Sequence, residues 1–144
     1  MVAEENKALL RRWYEGVSKG DAATSAALVA PDYRMNGQPL APQGAQQVTA
    51  TILAAFPDWS VTVQDLIAEG DRVAARLTYS GTHRGVWLGR GPVRGLPPTG
   101  KRFAITSHEH YRIVDGRIAE AWVQSDMASL AEQLGVSQGT AQAG

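Results

Sequence analysis

An α+β fold, with an antiparallel sheet of about four to six strands, is predicted by two observations. Apolar residues recur at helical spacing as far as Phe56. From Trp59 onward they alternate instead, as in strands buried on one face. Helical segments therefore come first and an antiparallel sheet follows, which argues against a doubly wound βαβ arrangement.

Taken in order, Leu9, Leu10, Trp13, Tyr14 and Val17 give the stripe of a first helix over 4–19, and Gly20 suits the left-handed residue that ends it. Asp21 caps a second, alanine-rich helix that Pro31 stops. A short extended piece spans 33–36. Ala45, Val48, Ile52 and Ala55 line a third helix, which Pro57 closes. Trp59, Val61 and Val63 begin a strand, and Glu69-Gly70-Asp71-Arg72 makes a turn. Val73, Ala75, Leu77 and Tyr79 share one face of the next strand, while Arg76 and Thr78 lie on the other. Glycines and prolines over 84–100 form a long loop. Two further strands, 102–114 and 118–124, flank an Asp115-Gly116 hairpin. Asp126 caps a last helix carrying Met127, Leu130, Ala131 and Leu134, and the tail after Gln138 is expected to be disordered.

The chain has 144 residues, which fits a single domain over 1–144 and no linker. Lys+Arg and Asp+Glu both number 14, so no basic stripe exists for a nucleic-acid backbone. Cysteine is absent, and with it thiolate metal sites, disulfides and cysteine nucleophiles. Neither a signal peptide nor a membrane-spanning apolar run is evident, so a cytoplasmic location and no membrane partner are expected.

The hairpin register decides which side chains meet inside the sheet. A tight two-residue turn would set Glu109 opposite Trp122, whereas a three-residue turn with a glycine bulge would set it opposite Ala121. The second is expected. It gathers Ser107, Glu109, Tyr111, Ala119, Ala121 and Val123 on one face, with His108, His110, Arg112, Glu120, Trp122 and Gln124 on the other.

The runs Phe56-Pro57-Asp58-Trp59, Gly70-Asp71-Arg72-Val73 and Gly81-Thr82-His83-Arg84-Gly85, followed by Pro98-Thr99-Gly100-Lys101, Asp115-Gly116-Arg117-Ile118 and Gln133-Leu134-Gly135, resemble the SnoaL-like polyketide cyclases of the cystatin-like, nuclear transport factor-like cone superfamily. Their order and spacing over nearly the whole chain carry the resemblance. It implies a curved antiparallel sheet wrapped around helices as a cone with an internal pocket, and a cofactor-independent acid–base enzyme of antibiotic-type secondary metabolism, acting on a small apolar, polyketide-like substrate. Hydroxylation or epoxide opening on the same substrate class is the first alternative. A non-catalytic ligand-binding or oligomerising module is the second. The family's aspartate falls at Val123 and the cyclase histidine at Glu109, so that Asp/His pair is missing. Arg76 matches the arginine of limonene-type epoxide hydrolases, with Thr78 where those enzymes carry aspartate. The resemblance, with Trp122 and the histidines, implies a homodimer through the outer sheet face.

On this reading Glu109 is the general base, because a carboxylate at a mid-strand pocket position is costly to bury without a use or a partner. An ion pair with Arg76 that merely ties two strands together is the plainer alternative. Arg76 is otherwise a fork of donors for an enolate or carboxylate, or a solvated residue. Ser107, Tyr111, Thr78 and Val123 are expected to line the substrate site, with Tyr33 and Trp59 as its wall. His108 and His110 have a spacing able to chelate a metal, but they are read as outer-face residues near Glu120 and Trp122, and no metal is assigned.

Overall fold

Both residues of the Asp115-Gly116 turn adopt left-handed backbone angles, φ 52° and 72°, which is what a two-residue type I′ hairpin requires. In the computed structural model, which describes residues 2–136, this turn joins the two central strands of a six-stranded sheet. The helices are α1 (Val2–Ser18), α2 (Ala22–Ala27), α3 (Ala41–Ala55) and α4 (Met127–Gln133). The strands are β1 (Val29–Met35), β2 (Gln38–Pro39), β3 (Ser60–Glu69), β4 (Arg72–Thr82), β5 (Arg102–Val114) and β6 (Arg117–Ser125). The sheet order is β2-β1-β6-β5-β4-β3, curved and unclosed. The expected tail after Gln138 lies outside the described residues.

The α+β fold is as the sequence implies, with two differences. The sheet is mixed, because β1 runs parallel to β6. Pro31 sits within β1 rather than stopping α2, which ends earlier at Ala27. Asp21 caps α2 by accepting the Thr24 N–H at 3.0 Å, and Asp126 caps α4 by accepting that of Ser129 at 3.0 Å.

The expected hairpin turn is corrected. Val114 pairs with Arg117 across a tight turn rather than a three-residue one. One extra residue of β6 then intrudes between the Ile113–Ile118 and Arg112–Glu120 pairs, a bulge that shifts every pair beyond it by one. Glu109 consequently faces Val123, neither Ala121 nor Trp122. The shift restores the expected division of faces: Ser107, Glu109, Tyr111, Ala119 and Ala121 are buried, while His108, His110 and Trp122 are exposed. At the bulge Ile118 and Ala119 are both buried, because two consecutive residues there turn inward.

Two apolar clusters fill the concave side. One joins Leu9, Leu10 and Tyr14 of α1 to Tyr33, Val73, Leu77, Tyr111 and Ala121. The other joins Phe56, Trp59, Phe103 and Ile105 to Leu130 and Leu134 beside α4. Trp13, Val61 and Tyr79 pack against both, so they mark the seam between the clusters.

Candidate functional site

The seam holds one carboxylate. Strict alternation along β5 turns Ser107, Glu109 and Tyr111 to the concave face, between the neighbouring strands β4 and β6. Glu109 is 4% exposed, and three hydroxyls converge on it. Tyr111 Oη donates to Oε1, Tyr79 Oη donates to Oε2, and Ser107 Oγ donates to Oε2 at 2.8 Å. Tyr14 Oη of α1 donates in turn to Tyr111 Oη at 2.7 Å, which extends the chain to the helix layer. Ser107 Oγ also lies 2.9 Å from Ser125 Oγ on β6. No guanidinium enters this set.

A carboxylate moved out of water pays heavily unless its lone pairs are met. Burial is the first cause acting on Glu109 and raises its pKa above the ordinary carboxylate value. The Tyr111, Tyr79 and Ser107 hydroxyls oppose that rise by donating to the charged form. Burial, reinforced by the nearby Glu109 charge, pushes the Tyr14, Tyr33, Tyr79 and Tyr111 phenols upward. They therefore stay protonated and remain donors. Of the roughly four acceptor positions of a carboxylate, three are used here; one, on Oε1, is left.

Exposure is graded along the same face. Val123, opposite Glu109, and Ser125, opposite Ser107, are half-buried; Met35, the β1 partner of buried Ala121, is half-buried too. The end of β6 away from the hairpin, with Met35 of β1, is thus less buried than the matching end of β5, where Phe103, Ile105 and Ser107 are enclosed. A groove of about 470 Å³ elsewhere, along the start of α1 by Asn6, Arg12 and Asp71, involves none of the groups that hold Glu109.

The structure brings together Glu109, Ser107, Tyr111 and Val123 as the sequence implies. Tyr33 is buried in the first cluster, and its phenol feels the Glu109 charge. Trp59 lies against Tyr79, with ring centroids 4.6 Å apart. Arg76 and Thr78 are corrections. Leu77 and Tyr79 point inward between and beside them, so both project from the opposite face. Arg76 is exposed, beside Asp65 of β3 and His108 of β5. Thr78 accepts a hydrogen bond from Gln64 there. An Arg76–Glu109 ion pair is thereby ruled out. Tyr79 and Tyr14 join the site without a sequence expectation for either; the one signal for Tyr79 is that Val73, Ala75, Leu77 and Tyr79 make the more apolar face of their strand. His108 and His110 occupy the outer face, opposite Gln124 and Trp122. His83 is fully buried at the end of β4, where its Nδ1 accepts the Thr99 N–H at 3.2 Å and orders the following loop.

The model of the SnoaL-like polyketide cyclases matches residues 7–134. Among solved structures, TsrD from Streptomyces laurentii is 27% identical, with 93% of this chain and 97% of that one aligned at a TM-score of 0.81. IdmH from Streptomyces antibioticus, described as a candidate polyketide cyclase, is 34% identical over 91% of this chain and 99% of its own, at 0.76. AclR from Streptomyces galilaeus, described as a candidate hydroxylase, is 30% identical over 92% and 97%, at 0.77. No curated protein sequence matches the chain. With its fold and most of its length matched, the chain belongs to the SnoaL-like polyketide cyclase family.

Proposed function

We propose that this protein is a cofactor-independent acid–base enzyme acting on a small apolar, polyketide-like molecule, with Glu109 as the proton acceptor. The observation that carries the reading is the buried Glu109 carboxylate held by three neutral hydroxyls with one acceptor position to spare. A carboxylate whose pKa burial has raised is a stronger base than one in water and remains able to return the proton. A substrate C–H or O–H directed at Oε1 gives its proton to Glu109. The hydroxyls of Tyr79, Tyr111 and Ser107 hold the carboxylate in place in both protonation states. The Val123 position, without the family's aspartate, leaves Glu109 as the single carboxylate of this arrangement.

The similarity to AclR supports a second reading, a hydroxylation step on the same class of substrate, with dioxygen as the oxidant and a reductant supplied from outside the protein. Either step belongs to the making of an antibiotic-type secondary metabolite in the cytoplasm. A non-catalytic binding module fits less well, because a purely binding pocket has no use for a desolvated carboxylate amid donors.

The test uses 2-acetylnaphthalene, a small apolar ketone, in heavy water. The wild-type protein is expected to accelerate deuterium uptake at the methyl group, followed by NMR. Glu109→Gln keeps the shape, removes the proton acceptor and is expected to lower that rate about 100-fold or more. Equal rates for the two proteins would remove Glu109 as the base.

We also propose a homodimer through the outer sheet face, where Trp122 and Ile67 are 46% and 63% exposed and share a row with His110 and Ala74. Light scattering at micromolar concentration is expected to report a dimer that Trp122→Arg dissociates. A wild-type monomer would reject the interface.

A further inference from the structure

Among the described residues, three buried side-chain polar atoms have no hydrogen-bond partner, and two of them border the Glu109 site. They are the indole N–H groups of Trp13 and Trp59. Trp13, on α1, meets Tyr111 edge-on with ring centroids 5.8 Å apart and also touches Tyr14 at 5.8 Å. Trp59, just before β3, is 8% exposed and lies 4.6 Å, centroid to centroid, from Tyr79. Each indole thus packs on one of the two phenols that donate to Glu109. One is brought by the helix layer and the other by the chain entering the sheet.

An indole N–H is a donor only, and leaving one buried and unmet is destabilising. The other two indoles are settled differently. Trp87 Nε1 donates to the Arg90 carbonyl at 2.9 Å, and Trp122 stands exposed on the outer face. Orphaned donors are therefore not a general habit of tryptophan in this protein; they occur where the carboxylate is. The hydroxyls of Tyr79, Tyr111 and Ser107 are already committed to Glu109 and that of Tyr14 to Tyr111, so these four are poor donors for anything else. A substrate that gives up a proton at Glu109 accumulates negative charge on an oxygen, and that oxygen needs donors that are still free.

We infer that Trp13 and Trp59 are the oxygen-binding groups of the site, each donating its indole N–H to a carbonyl or enolate oxygen of the bound molecule. This rests on the reading of Glu109 as the base, and assigns the other half of the same acid–base arrangement. The pair selects for ligands that carry an oxygen next to the carbon to be deprotonated. An oxygen-free molecule of the same shape leaves both donors unmet and gains only the apolar contacts.

Two probes of nearly equal shape separate these terms: 2-acetylnaphthalene, and 2-isopropenylnaphthalene, in which a CH2 replaces the carbonyl oxygen. Each is titrated into the ¹⁵N-labelled protein while the four indole N–H signals are followed, with assignments made from single Trp→Phe variants. The ketone is expected to move the Trp13 and Trp59 signals downfield and leave those of Trp87 and Trp122 in place. The alkene is expected to bind without moving the first pair downfield. Trp13→Phe and Trp59→Phe, which remove the N–H together with part of the ring, should each weaken the ketone about fivefold more than the alkene. Ketone binding with either signal unmoved overturns the assignment while leaving Glu109 untouched. Equal loss of both probes in the variants also overturns it, since that marks a purely apolar role. Failure of both probes to bind overturns the assignment together with the reading on which it rests.

Discussion

Glu109 and Glu120 belong to one hairpin, yet the two faces of the sheet treat them in opposite ways. Glu120 lies on the outer face, where Arg112 donates to it and holds its carboxyl below the ordinary range. Glu109 lies on the inner face, where burial outweighs three hydroxyl donors and raises it. Net hydrogen bonding is not what separates them, since Glu109 has more donors. What separates them is access to water and a cation, and that is decided by strand parity. The segment His108-Glu109-His110 makes the point most compactly. In the sequence it reads as a single polar cluster; in the sheet the two histidines are exposed and the glutamate is enclosed.

The loss of activity on Glu109→Gln is the largest effect this contrast implies. Next in size is Tyr111→Phe, which removes a donor to Oε1 and leaves the buried Tyr14 hydroxyl without its acceptor. A cost of about 1–3 kcal/mol in chemical unfolding is expected. The same change should raise the Glu109 protonation midpoint further, because the Tyr111 hydroxyl is among the groups that lower it. Unchanged stability would mean that the inner network contributes nothing as a network.

The smallest effect belongs to the outer face. Arg76→Ala is expected to change unfolding free energy by no more than about 0.5 kcal/mol and to leave deuterium uptake by 2-acetylnaphthalene at the wild-type rate. Arg76 is exposed and sits across from Asp65 and His108, away from Glu109. A substantial fall in that rate would mean that the two faces are coupled in a way the sheet geometry does not provide.

Much of this was legible in the sequence, and the failures have identifiable causes. Helical periodicity, the Asp21 and Asp126 caps and the alternation in β4 and β5 located the elements, because each reflects a local constraint. The division of the hairpin's faces was also recovered, but through compensating differences. The turn is one residue shorter than expected, and the bulge beside Ile118 adds one residue that no local signal announces. Glu109 therefore has the expected orientation and a different neighbour. Arg76 and Thr78 match site residues of relatives by resemblance, whereas Leu77 and Tyr79, on the more apolar face of the same strand, are the ones that point inward. In this chain the local pattern was the better guide. Tyr14 could not have been placed beside Tyr111 from sequence, since 97 residues separate them and only the packing of α1 on the sheet joins their hydroxyls.

The raised pKa also has a consequence for stability. A carboxyl that holds its proton more tightly in the folded than in the unfolded chain binds more protons when folded. Its contribution therefore falls as pH rises from the ordinary carboxylate value of 4.5 through the raised folded value. That contribution is absent from Glu109→Gln. The central claim, a desolvated carboxylate poised as a base, is tested most directly by following the protonation of Glu109 itself. Infrared difference spectra of wild-type against Glu109→Gln protein, recorded across pH, isolate the carbonyl stretch of its protonated form. A single protonation step with a midpoint above 4.5 is expected. A midpoint at or below that value would show a solvated or charge-paired carboxylate, and would contradict the account.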